Sequence, residues 1–120
     1  MAGVQEFDFD APDETRTPDK TRVDVVRTDG ATAARLAFEP GWRWSECVKP
    51  VVGTERCEVH HVGFVASGRM HVVHEDGTEL EIGSGSAYEI QPGHDAWVVG
   101  DERCVVFEFE SRAAEEYARG

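Results

Sequence analysis

Three cysteines and five histidines carry most of the chemistry this sequence can offer. The cysteines are Cys47, Cys57 and Cys104, and the histidines are His60, His61, His71, His74 and His94. Thiolate and imidazole together suit zinc, iron(II) or copper better than magnesium or calcium, which take oxygen ligands. His94 stands in "YEIQPGHDAWVVGDE" (88–102), beside a turn built by Pro92 and Gly93 and two residues before Ala96. A histidine there is either a ligand in a working site or a polar residue bonded to local backbone. The cysteines lack C-x-x-C spacing and are odd in number, so reduced thiols are expected, each also able to act as a small buried hydrophobe. Cys57 and His61 are four residues apart and share a face of an extended strand. At ~3.3 Å per residue they then lie about 13 Å apart, and a direct hydrogen bond needs a bulge, which disfavours a cysteine nucleophile. There is no G-x-S-x-G elbow and no glycine loop of the Walker or dinucleotide type.

The elements that must position these residues are strands. After residue 20, apolar residues recur with period two between Gly, Pro and Asp signals. The expected strands are "RVDVVRT" (22–28), "ARLAFE" (34–39), "RWSECV" (43–48), "EVHHVGFVAS" (58–67) and "RMHVVHE" (69–75). "TELEIG" (78–83), "SAYEIQ" (86–91), "AWVVGD" (96–101) and "CVVFEFES" (104–111) complete the set. "EDGT" (75–78) is a hairpin turn in which Asp76 and Gly77 supply positive φ angles. Further turns fall at 83–86 and at "QPGHD" (91–95). Many short strands in one unit predict an antiparallel sandwich or barrel. Residues 1–20 read as a polar arm, 21–111 as the barrel and 112–120 as a helical tail.

The totals narrow the functions. At 120 residues the chain fits one domain with a core of its own. A net charge of −12 repels phosphate backbones, so nucleic acid is not an expected partner. No apolar run approaches 18 residues and the acidic N-terminus has no signal-peptide pattern, so the expectation is a cytoplasmic protein with no membrane partner.

From residue 41 onward the spacing resembles the cupin superfamily. The second cupin motif, G-x5-P-x-G-x2-H-x3-N, can be laid on Gly85, Gln91, Gly93, Ala96 and Gly100 without a gap. The glycines match, the histidine place holds Ala96, and the proline has moved one step to Pro92. The first motif, G-x5-H-x-H-x(3,4)-E-x6-G, falls on Gly41, Cys47, Lys49, His61 and Gly68, with eleven residues between Lys49 and His61 where the family has three or four. The whole stretch is also similar to a group of small bacterial single-domain cupins. The resemblance implies a jelly-roll-like β-barrel of two facing sheets, commonly a homodimer, with a metal or small-ligand pocket inside.

The same frame turns position 61 inward, and strand alternation then adds Cys57 on one strand and His94 beside Ala96 on another. Cys47 occupies the first ligand place. The expected metal set is therefore Cys47, His61 and His94, with Cys57 as a fourth ligand, for zinc, iron or copper. Four protein ligands suit structural zinc, and three plus water leave a reactive position. The remaining histidines, His60, His71 and His74, read as outer-face residues. Tyr88, Trp97 and Arg43 are the candidates to contact a small organic ligand, the aromatics through an apolar body with a polar handle and the arginine through its planar fork. The expected function is a binding or sensory module for a small molecule, a metal or both. The alternative is a metal-dependent oxygenase, isomerase or lyase.

Overall fold

The computed structural model describes residues 3–109; the helical tail expected at 112–120 lies outside the described residues. The strands are β1 (Glu14–Arg16), β2 (Thr21–Arg27), β3 (Thr32–Phe38), β4 (His61–Ser67), β5 (Arg69–His74), β6 (Glu79–Gly83), β7 (Ala87–Ile90), β8 (His94–Val98) and β9 (Cys104–Phe109). Two four-residue helices, α1 (Trp44–Cys47) and α2 (Lys49–Val52), lie between β3 and β4. One sheet has the order β1-β2-β3-β9-β4-β7 and the other β6-β5-β8, with every pairing antiparallel. The two sheets share one core, into which Val23, Leu36, Val65 and Val106 project from the larger sheet and Met70, Val72, Ala96 and Val98 from the smaller. The sheets do not close on each other: β6 and β7 are consecutive in the chain, yet each is the edge of a different sheet. Among the described residues no helix is long and apolar enough to cross a membrane.

Period-two alternation decides which side chains enter the interior. In β4, His61, Gly63 and Val65 point in while Val62 and Phe64 face out. In β8, His94, Ala96 and Val98 point in, and in β9 Cys104, Val106 and Glu108 do. Outside the barrel, Asp24 is buried beneath the N-terminal segment, where Thr15, Arg22 and Arg35 donate to its carboxylate at 2.9–3.2 Å. Phe9 packs edge-on against Phe107 at 5.3 Å.

Four local expectations are corrected. The segment 43–48 is not a strand, because Trp44, Cys47 and Val48 are buried at helical spacing in and just after α1, and Pro50 then opens α2. The strand expected from residue 58 starts only at His61, and the one expected from 96 starts already at His94. In the β5–β6 turn only Gly77 takes a positive φ, 96°, while the Asp76 carboxylate accepts the Thr78 N–H at 2.8 Å.

Candidate metal centre

The long excursion after Lys49 ends by delivering a thiol to the mouth of the barrel. Gly53, at φ 83°, caps α2 and turns the chain back. Cys57 then docks on the start of β8: its N–H donates to the His94 carbonyl at 2.7 Å, and its own carbonyl accepts the Gly93 N–H at 2.8 Å. Because residues 58–60 are not extended strand, Cys57 and His61 meet after all. The Cys57 Sγ lies 3.5 Å from His61 Nε2, where a straight strand would have held them far apart.

The ligand atoms of Cys57, His61 and His94 all lie within 4.8 Å of one another, and all three residues are buried. Each histidine is oriented by its far nitrogen. His61 Nδ1–H donates to Glu108 Oε1 at 2.8 Å, and His94 Nδ1–H donates to the Gln91 carbonyl at 2.8 Å. Both tautomers then present Nε2 to the same space, the arrangement in which metal-ligating histidines are held by carboxylates or backbone carbonyls. Bonds of about 2.1–2.3 Å in a tetrahedral set put neighbouring ligand atoms about 3.6 Å apart. The present spacing needs at most a contraction of about 1 Å at its widest edge to reach that, so the residues fit a metal ion.

Glu108 is the member of the site that the motif frame does not point to. Its second oxygen, Oε2, accepts the Tyr88 hydroxyl at 2.6 Å. Gly63 makes this possible: it pairs with Tyr88 on one side and Glu108 on the other. A Cβ on Gly63 would stand 2.2 Å from the Phe107 carbonyl and 2.9 Å from Glu108 Cγ. The signal for Glu108 was present in "CVVFEFES", where it has the parity of Cys104 and Val106 and so lies on the apolar face of its strand.

Electrostatics separate the two histidines. Burial works against a charge on His61, but the Glu108 carboxylate, with a smaller contribution from Cys57, outweighs it and pushes the pKa up to about 10. Burial and then the charge of His61 push His94 down to about 4, so its imidazole is neutral with Nε2 available. A metal at this site would have to displace the proton that His61 holds.

The interior space beside these residues is about 30 Å³, bounded by His61, His94, Tyr88, Glu108, Trp42 and Met70 among others. A cavity of that size holds a water molecule, which leaves room for a metal-bound water. Trp42 Nε1–H, also buried in this wall, has no acceptor among the described residues, a donor that an oxygen ligand in the cavity would satisfy.

The remaining candidates go elsewhere. The structure leaves Cys47 out of the group: it sits in α1, where burial pushes its thiol up and Asp19 lies beside it. Lys49 pairs with Glu55 at the surface. Tyr88 is at the site. Arg43 and Trp97 are on the outer face of the smaller sheet, where the guanidinium stacks 4.3 Å over the indole and reaches Asp95 at 3.4 Å. The other face of Trp97 stacks on His71 at 4.7 Å. His60 and His71 meet Glu89 and Glu79, and His74 donates to the Pro92 carbonyl, all away from the three ligand atoms.

No family model and no curated protein matches the chain. Solved structures do. KdgF from a Halomonas species is similar with a TM-score of 0.58 at 20% identity, over 82% of this chain and 86% of that one. The polyketide cyclase RemF from Streptomyces resistomycificus gives 0.62 at 15%, over 90% and 79%. A variant of oxalate decarboxylase from Bacillus subtilis gives 0.56 at 20%, over 81% of this chain and 27% of that one. At these identities the likeness shows the fold alone, and with the two facing antiparallel sheets it establishes that the chain has a cupin-like fold.

Proposed function

We propose that this protein is a metal-binding cupin in which Cys57 Sγ, His61 Nε2 and His94 Nε2 hold one transition-metal ion, with the fourth position facing the interior cavity. The observation that carries the reading is the convergence of three buried ligand atoms within 4.8 Å, with Nδ1 of each histidine already engaged by an oxygen. One thiolate and two imidazoles fit zinc, iron(II) or copper, and zinc takes such a set tetrahedrally without redox demands. When bound, such an ion supplies Lewis acidity and lowers the pKa of a water at the open position. The chain's own residues set the conditions. Glu108 fixes the His61 tautomer and takes the Tyr88 hydroxyl, which holds that tyrosine on the cavity wall. Apolar Leu36, Phe38, Met70 and Val106 share the cavity wall with His61 and His94.

The test is elemental analysis of untagged protein purified without chelator, repeated on Cys57→Ala, His61→Ala and Cys47→Ala. The expected result is close to one equivalent of metal in the parent and in Cys47→Ala, and loss in the other two. Less than about a tenth of an equivalent in the parent, after supplying zinc, iron(II) and copper(II) in turn, rules the reading out, because a buried thiolate and two imidazoles would hold a supplied ion through purification. A second, enzymatic reading is favoured by one observation: Tyr88 and Ile90 belong both to the wall of the metal cavity and to the wall of a larger outer cleft. Turnover would then be lost in Tyr88→Phe while metal content stays intact.

A further inference from the structure

The two sheets have outer faces of opposite character. On the smaller sheet the outward side chains include charges that pair with one another: Arg43 with Asp95, Arg69 with Glu81 and His71 with Glu79. On the larger sheet the register lines up apolar residues instead. Phe64 of β4 lies opposite Phe107 of β9, and their rings stack at 5.4 Å. Val62 and Phe109 hold the next outward positions of the same two strands. Ala87 continues the face onto β7 and Ala33 onto β3. The N-terminal segment lays Phe9 on Phe107, yet Val62 remains 44% exposed, Phe64 40% and Phe109 48%. Contiguous apolar surface of this kind marks an interaction site.

Shape and charge select the occupant. The face is the outer side of a pleated sheet, and the complement of a sheet is another sheet, packed about 10 Å away with its strands within about 30°. A net charge of −12 repels nucleic acid and anionic membrane surfaces. A second copy of this chain brings a matching sheet, and the charges fit it. Among the described outward-facing residues of β3, β9, β4 and β7, Arg35 and Glu89 alone are charged. They stand at opposite flanks with opposite signs, Arg35 on β3 beside Phe107 and Glu89 on β7 beside Val62. A two-fold axis parallel to the strands, between β9 and β4, lays β3 of each protomer over β7 of the other. Arg35 then comes within one row of side chains, about 7 Å along the strands, of Glu89 of the partner subunit, a step that two long side chains span. Arg35 also meets Asp24 and Asp10, and Glu89 meets His60, but a guanidinium has five donors and a carboxylate about four acceptor sites. Four strands at about 4.8 Å and five residues at about 3.3 Å give the face roughly 320 Å² in plan. That is under half of the ~800 Å² each partner buries in a standard interface, so the polar rim must come from the flanking N-terminal segment and the edge of β7.

We propose that two copies of this chain pack the outer faces of their larger sheets together about this two-fold axis, with Phe64, Phe107 and Phe109 at the centre and Arg35 facing Glu89 of the partner subunit. The inference does not depend on the metal reading, because the clustered donors project into the barrel, away from this face.

The test is sedimentation equilibrium of the full chain from about 1 to 300 µM, a range that covers micromolar association. The parent is expected to be a dimer at the upper end. Phe64→Lys puts an unpaired charge at the centre and should raise the dissociation constant at least about thirtyfold, the scale of a central aromatic anchor. Glu89→Lys sets a like charge against Arg35 of the partner subunit and should raise it about tenfold. A third variant separates loss of the interface from loss of the fold. Phe64→Cys adds one exposed thiol to three buried ones, and a short bismaleimide should join it to its copy, while Leu80→Cys, exposed on the other sheet, should stay unjoined. A dimer that Phe64→Lys and Glu89→Lys leave intact, or Phe64→Cys joined no better than Leu80→Cys, would overturn the proposal. So would a parent that stays monomeric throughout, because the face would then belong to a different protein or to the residues after Phe109.

Discussion

Replacing Glu108 by Gln isolates the electrostatics of the site, because it keeps the shape and removes the charge. In the metal-free protein the His61 pKa is raised from 6.5 to about 10, and Glu108 is the main reason it rises despite burial. A raised histidine pKa contributes stability that is fully present below the unfolded value and is lost as pH climbs through the folded value. The window is therefore pH 6.5 to about 10. At about 1.4 kcal/mol per pH unit the full contribution is on the order of 5 kcal/mol; about 3 kcal/mol of it remains at pH 8 and almost none above 10. The assay is urea unfolding of chelator-treated protein, parent and Glu108→Gln, at closely spaced pH values. The parent should exceed the variant by about 3–5 kcal/mol at pH 6.5, the scale of a broken buried pair, and the gap should close as pH approaches 10. Comparing the two proteins cancels the titration of thiols and tyrosines common to both. A gap that stays constant from pH 6.5 to 10 would refute the reasoning, because it would mean that Glu108 supports the fold by packing and hydrogen bonding but not by holding a charge on His61.

Metal binding would release the proton on His61 and any proton on the Cys57 thiol, so apparent zinc affinity should rise by about ten- to a hundredfold per pH unit between pH 6 and 8, measured by competition with a chromophoric chelator; a pH-independent affinity would exclude His61 as a ligand. Saturating zinc should raise the unfolding midpoint of the parent and leave Cys57→Ala unmoved, since a ligand at a hundred times its dissociation constant adds about 2.7 kcal/mol. Gly63→Ala should cost about 1–3 kcal/mol or more in denaturant unfolding, because its Cβ meets the Phe107 carbonyl, which belongs to a paired strand and cannot move aside. Trp97→Ala and Arg43→Ala remove only outer-face contacts, the stack and the Arg43–Asp95 pair, so zinc affinity by the same competition assay should stay within about twofold of the parent.

Much of the architecture was legible because strand alternation is a local rule. The inward parity of His61, of His94 with Ala96, and of Cys104 with Val106 can be counted along the chain, and the structure keeps it. What could not be counted were the breaks in that rule. Trp44, Cys47 and Val48 stand at i, i+3 and i+4, a helical spacing too brief to stand out from the strand pattern around it, and Cys47, held in that helix, is not among the clustered donors. Cys57 and His61 were held apart by assuming one straight strand from residue 58, but β4 starts only at His61 and the two side chains meet. The site also shows why a motif frame read place by place misleads here. Three of its ligand places hold Lys49, Ala96 and Cys47, none of which is in the cluster of Cys57, His61 and His94, yet a group of donors is still there. The thiol comes from the excursion after Lys49 instead of the first ligand place. One imidazole comes from His94, two residues before Ala96 on the same face of β8. The carboxylate comes from Glu108 on β9 and engages Nδ1 of His61, the residue standing where the frame has its glutamate. What the fold supplies is an inward face at each of these strands. A vacancy at one position can therefore be filled by any residue of the same parity whose side chain reaches the cavity, and Gly63, by leaving its own position empty of side chain, gives Glu108 the room to do so.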